Sequence, residues 1–193
     1  MRFEYVPLFP LGKDRTSYEQ LTSQQVKTAK ILGKNWLQVE PAGLRLLARE
    51  ALGRINFYFR KKHLENLALI LDDPEASAND KFVAAKLIKN AAIAADGLLP
   101  LCQDTGTAII LGFKGERVST GVDDVRYLTH GVFDAYTRLN LRASQNAPVS
   151  MLEEINTGNN LPAQIEIMSC PGEEYNFWIM AKGGGSSNKT ALY

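Results

Sequence analysis

The spacing of apolar residues changes period along this chain, and that change restricts its fold more than any other feature. Leu44, Leu47, Ala48, Ala51, Leu52, Ile55 and Phe59 recur at helical spacing, and Leu64, Leu67, Ala68 and Leu71 continue the pattern until Asp72-Asp73-Pro74 stops it. Ser77 or Asn79 then offers an N-cap to a helix with Phe82, Val83, Leu87 and Ile88 as its apolar face, running toward Gly97. After Gly121 another helix turns Val125, Leu128, Val132, Phe133, Tyr136 and Leu139 inward and ends near Asn140. Toward the C-terminus the period falls to two. Ile165 and Ile167 alternate with Gln164 and Glu166, Tyr175, Phe177 and Ile179 alternate with Asn176 and Trp178, and Pro171-Gly172 supplies a turn between them. Thr107 to Phe113 reads as a buried strand, Trp36 to Val39 as a short strand and Met151 to Ile155 as a short helical piece. Helices in the N-terminal half followed by antiparallel strands, including a C-terminal hairpin, define an α+β fold rather than a doubly wound parallel sheet.

With 193 residues, 45% of them hydrophobic, the chain can bury the core of one domain or a little more. Residues 1–40, with Pro7, Pro10, Gly12 and the Asp14-to-Ser17 stretch, read as an extended arm packed down on a domain formed by residues 41–193. Twenty-two basic residues against twenty-one acidic ones leave a formal charge of +1, so no overall field steers the protein to nucleic acid or to an anionic membrane. Arg60-Lys61-Lys62-His63 is short enough to be a solvated helix end. No apolar run approaches the ~18 residues of a membrane span. The N-terminus lacks the apolar core of a signal peptide, so a cytoplasmic protein is expected. Two cysteines, Cys102 and Cys170, are too few for a disulfide framework and form no CxxC pair.

Three stretches carry chemistry. In Cys102-Gln103-Asp104-Thr105-Gly106, Pro100 disfavours helix just upstream and Asp-Thr-Gly favours a turn, so Cys102 belongs on an irregular loop where a metal ligand would be useful. The alternative is an Asx turn at Asp104 beside a small buried Cys102. The stretch Lys182-Gly183-Gly184-Gly185-Ser186-Ser187-Asn188-Lys189 follows the last strand, and its glycines let backbone amides approach an anion. It misses a nucleotide-binding P-loop at one position, because Asn188 stands where the second glycine is required. Arg142 stands just past its helix, where a guanidinium can grip a carboxylate with two parallel hydrogen bonds or simply favour the helix dipole. His63 and His130 have no cysteine or histidine at ligand spacing, and Cys170 reads as a hairpin-corner residue.

Taken together, "LPLCQDTGTAII", "LRASQNAPVSM", "NTGNNLPAQIEI" and "AKGGGSSNK" resemble, in this order and spacing, the N-terminal part of the class I, iron-sulfur-dependent fumarate hydratases. The likeness extends to "PLFPLGKDRTSYEQLTSQQV" and "LDDPEASANDKFVA", and so covers essentially the whole chain. The resemblance implies a hydro-lyase that interconverts fumarate and (S)-malate on a 4Fe-4S cluster held by three cysteines, with one iron left open. It implies that Cys102 is a cluster ligand, that Gln103 and Asp104 contact substrate, and that Asp104 is a candidate for proton transfer. It further implies that Arg142 clamps a substrate carboxylate and that Gly185 contacts substrate through its backbone, with Lys189 in a supporting role.

Members of that family with this N-terminal arm are more than twice as long, and the resemblance places the other two cluster cysteines beyond Tyr193. Cys170 falls at no ligand position. These 193 residues alone are therefore expected to be an inactive part of the enzyme without a bound cluster. The complete enzyme is expected to be a homodimer acting on a small dicarboxylate. The alternatives are the α-type chain of an L-tartrate dehydratase, which shares the Cys-Gln-Asp-Thr-Gly pattern, and a stand-alone binding or assembly module.

Overall fold

The computed structural model describes residues 3, 4, 6, 17–101 and 106–182. Strands β1 (Val26–Ile31) and β2 (Lys34–Val39) form an antiparallel hairpin, and β2 also pairs in parallel with the short β4 (Val118–Ser119). Helices α1 (Pro41–Phe57), α2 (Lys61–Asp72) and α3 (Ala78–Ala94) follow, then β3 (Thr107–Gly115) and, after β4, helix α4 (Asp124–Arg138). A two-stranded ribbon of β5 (Asn146–Pro148) and β6 (Glu154–Asn156) precedes β7 (Gln164–Cys170) and β8 (Tyr175–Lys182). The arrangement is α+β, as the change of apolar period requires.

The main core lies between α1, α4 and one face of the sheet β7-β3-β8. Leu44, Ala48 and Leu52 of α1 meet Leu128, Val132 and Ala135 of α4, and Ala108 and Ile110 of β3 close the core from below. Burying each large aliphatic side chain here contributes about 1.5–3 kcal/mol. Arg45 and Asp134 lock the two helices together across their rim. Arg45 Nη2 donates to Asp134 Oδ1 at 2.9 Å and Nε donates to Oδ2.

β7 and β8 run antiparallel to each other and are joined by a tight connection, as the sequence indicates, but β3 lies between them. The connection arches over the last residue of β3. Gly115 N donates to Glu174 O at 2.9 Å and Arg117 N to Gly172 O at 3.0 Å. A Cβ on Gly115 would stand 2.7 Å from Gly172 O and 2.8 Å from Glu174 O, so the crossing needs a glycine. Below the arch, Lys114 Nζ donates to Asp124 Oδ2 at 2.7 Å, Tyr175 Oη donates to the same oxygen at 3.0 Å, and Thr120 donates to Asp124 Oδ1. This cluster joins β3, α4 and β8.

Several expected elements differ. The apolar pattern after Pro41 breaks into α1 and α2, because Tyr58 is extended and the carbonyl of Asn56 is taken by Leu101 N at 2.7 Å. Phe82 and Val83 of α3 are exposed rather than inward, since the stripe facing the core is Ala84, Ala91 and Ala94, small enough for close helix packing. Val125 and Phe133 of α4 are likewise exposed. Met151 to Ile155 is not helical; its last residues enter β6.

Candidate functional site

Chain geometry brings four of the sequence motifs to one end of the sheet. Thr107, the first residue of β3, is paired with Lys182, the last residue of β8. The chain therefore emerges from the Cys102–Thr105 stretch beside the point where it departs toward Gly183-Gly184-Gly185. Cys102, Gln103, Asp104, Gly185 and Lys189 themselves lie outside the described residues. Their approaches do not. Leu101 is fully buried and its amide is bonded to Asn56 O at the end of α1.

The other two motifs arrive through side-chain clamps. Asn160 is fully buried at the end of "NTGNN", and its Nδ2 donates to Gly106 O at 2.7 Å. Its Oδ1 accepts from Ser144 N and Gln145 N, both at 3.0 Å, in the segment that carries Arg142. Thr107 Oγ1 donates to Gln145 Oε1 at 2.9 Å, and Asn156 Nδ2 donates to Ala143 O at 2.8 Å. Arg142 is exposed, between the buried anchor Leu141 and this clamped stretch.

Asn56 and Asn160 are the residues that sequence reasoning did not single out. Asn56 had a legible signal, since it is a polar residue in a helix whose neighbours Leu52, Ile55 and Phe57 are apolar. Asn160 had a weaker one: it adopts φ +59°, which asparagine tolerates better than most non-glycine residues. Its threefold backbone bonding is a tertiary fact. The two histidines are exposed and lie next to Phe59 and Phe133 respectively.

A metal cluster requires a set of donors, and no group of three His, Cys, Asp or Glu side chains among the described residues could hold a metal ion. Cys170 is a free thiol paired in register with Gly115, at the end of β3 opposite the one that residues 102–105 lead into. The described residues thus provide no complete donor set. The backbone on either side of residues 102–105 is anchored, at Leu101 N by Asn56 O and at Gly106 O by Asn160 Nδ2.

A groove of about 1730 Å³ lies elsewhere, between Trp36 and Leu37 of β2, Leu44 and Leu47 of α1, and Phe177 and Ile179 of β8. Its lining is mixed, with Arg60 the one cation among the described residues there against Glu173 and Glu174, an acidic balance unsuited to a dianion. The motif end of the sheet is the better candidate for chemistry.

The profile of the family described as Fumarate hydratase (Fumerase) matches residues 46–193, and the chain belongs to that family. Within it, the chain is similar to the anaerobic class I fumarate hydratase of Escherichia coli K12, with 53% identity over 191 residues, 99% of this chain and 35% of that protein. It is 47% identical over 193 residues to the mitochondrial fumarate hydratase 1 of Leishmania major, covering 98% of this chain and 35% of that protein. A putative L(+)-tartrate dehydratase subunit alpha of Methanocaldococcus jannaschii is 30% identical over 122 residues, 61% of this chain and 43% of that protein. The chain thus spans about a third of the length of the fumarate hydratases it matches.

Proposed function

We propose that the complete polypeptide is a hydro-lyase that reversibly hydrates fumarate to (S)-malate, and that residues 41–193 form part of its N-terminal catalytic domain, preceded by an arm over residues 1–40. The observation that carries this reading is the pairing of Thr107 with Lys182, which joins the Cys-Gln-Asp-Thr-Gly and Lys-Gly-Gly-Gly segments at one strand end. The family match and the similarity to fumarate hydratases support it.

Roles follow from chemistry. Arg142 grips one substrate carboxylate, Gln103 and the backbone of Gly185 contact substrate, and Asp104 exchanges a proton with the carbon next to a carboxylate. Cys102 would supply one thiolate to an iron-sulfur cluster, which would provide Lewis-acid polarisation of the substrate hydroxyl. Cys170 takes no part. These 193 residues on their own, with a single ligand cysteine at this end of the sheet, would hold no cluster and would be inactive. The complete enzyme is read as a cytoplasmic homodimer that acts on small dicarboxylates and binds neither nucleic acid nor membrane. No helix among the described residues is long and apolar enough to cross a membrane.

The test is a substrate profile of the complete polypeptide on fumarate, (S)-malate and L-tartrate, with Arg142→Lys beside it. Turnover of fumarate and malate, with KM raised about 10-fold or more in the variant through loss of the bidentate grip, is expected. Turnover of tartrate alone would replace the reading with the dehydratase related to the M. jannaschii subunit.

A further inference from the structure

We propose that Asn160 is a positioning residue for substrate binding, holding the Arg142 segment against Gly106, the residue that follows positions 102–105 in the sequence. The inference rests on the hydro-lyase reading and adds to it a residue that touches neither substrate nor cluster. Its basis is geometric. Asn160 is fully buried, and its carboxamide makes three hydrogen bonds, all to backbone groups of irregular segments: Gly106 O on one side and the amides of Ser144 and Gln145 on the other. Gly106 comes two positions after Asp104, and Ser144 two positions after Arg142. Other contacts fasten residues 143–145 to residues 156 and 157, and Thr107 bonds the Gln145 side chain. Asn160 bonds the backbone of both segments with one side chain.

A buried amide that saturates three backbone groups stabilises the loops it joins, and leaving those groups unpaired is costly. The consequence reaches binding as well as folding, because a displacement of ~1 Å in a substrate-holding group can cost about 100-fold in rate. Arg142 grips the substrate in both ground and transition states, so its displacement should appear chiefly in affinity and KM.

The test uses the complete polypeptide carrying Asn160→Gly or Asn160→Asp. Glycine accepts φ +59° and removes all three bonds; aspartate keeps the oxygen that accepts from both amides but sets its other carboxylate oxygen against Gly106 O. Folding is checked by thermal unfolding, binding by calorimetry with succinate as an unreactive dicarboxylate, and each variant is crossed with Arg142→Lys. The expected result is folded protein with succinate affinity weakened and fumarate KM raised, each by about 10-fold or more, and these losses shrinking to within about two-fold in the Arg142→Lys background. Unchanged succinate affinity in a folded variant, or effects of Asn160 and Arg142 changes that multiply, would overturn the proposal. Wild-type turnover decides the underlying reading separately: an enzyme inactive on fumarate sinks that reading, whereas an active one indifferent to Asn160→Gly sinks this one. If neither variant folds, amide exchange at Ser144 and Gln145 of the wild type serves instead. Protection that increases on saturation with succinate supports the role, and unchanged protection refutes it.

Discussion

Replacing Gly131 with alanine isolates the contact on which the main core depends. Gly131 lies in α4 where that helix approaches α1, and an added Cβ would fall inside van der Waals contact with the carbonyl oxygen of Arg45 and 2.7 Å from Ala48 Cβ. The first obstacle is backbone and the second is a methyl group with no rotamer to change, so the helices must separate. Two effects compete. Alanine gains about 1 kcal/mol over glycine in helix propensity, while overpacking a core costs about 1–3 kcal/mol or more. Separation also loosens every contact across the seam from Leu44 to Leu52, and a gap of ~0.5–1 Å already forfeits a quarter to a half of each dispersion well. The steric term wins because it is shared along the whole helix pair, giving a net loss of about 1–3 kcal/mol. Urea unfolding of the 193-residue chain, followed by circular dichroism, measures it. A variant as stable as the wild type, or more stable by the propensity gain, would refute the close approach of α1 and α4.

Other consequences are equally specific. Asp134 is buried and the Arg45 guanidinium beside it holds its carboxyl below the usual aspartate range, against a smaller opposing effect of burial. A depressed folded pKa means that its contribution is fully present above the unfolded value of about 4 and is lost as pH falls through the folded value. Asp134→Asn should therefore cost about 1–2 kcal/mol near neutrality, discounted because Arg45 is about a third exposed, and should flatten the acid side of the stability profile below pH ~4. A wild type and variant with parallel acid limbs would contradict it. Lys114→Met should cost about 1.5–3 kcal/mol in urea unfolding, since it removes the cation bonded to the buried Asp124.

What could be read in the sequence follows from which forces are local. The period of apolar residues located α1, α3, α4, β3, β7 and β8, because each buries a face whose spacing the backbone dictates. Side-chain size escaped that reading. In α3, Ala84, Ala91 and Ala94 are buried while Phe82 and Val83 are exposed, an inversion of what hydrophobicity alone would order. The β1–β2 hairpin was missed except for its second strand, because its turn uses Leu32 and Gly33 at φ +48° and +78° in place of the usual Asn-Gly. Placement of β3 between β7 and β8 is a long-range choice that no local signal announces. For the site, the motif segments were evident as residues, whereas their meeting at one strand end and the clamp by Asn160 required the fold.

Anaerobic iron-sulfur reconstitution of the complete polypeptide, comparing wild type with Cys102→Ser and Cys170→Ser, tests the central claim most directly. Wild type and Cys170→Ser are expected to gain the visible absorbance of a cluster and to hydrate fumarate, while Cys102→Ser loses both. A Cys102→Ser protein that keeps a working cluster, or a Cys170→Ser protein that cannot form one, would contradict it.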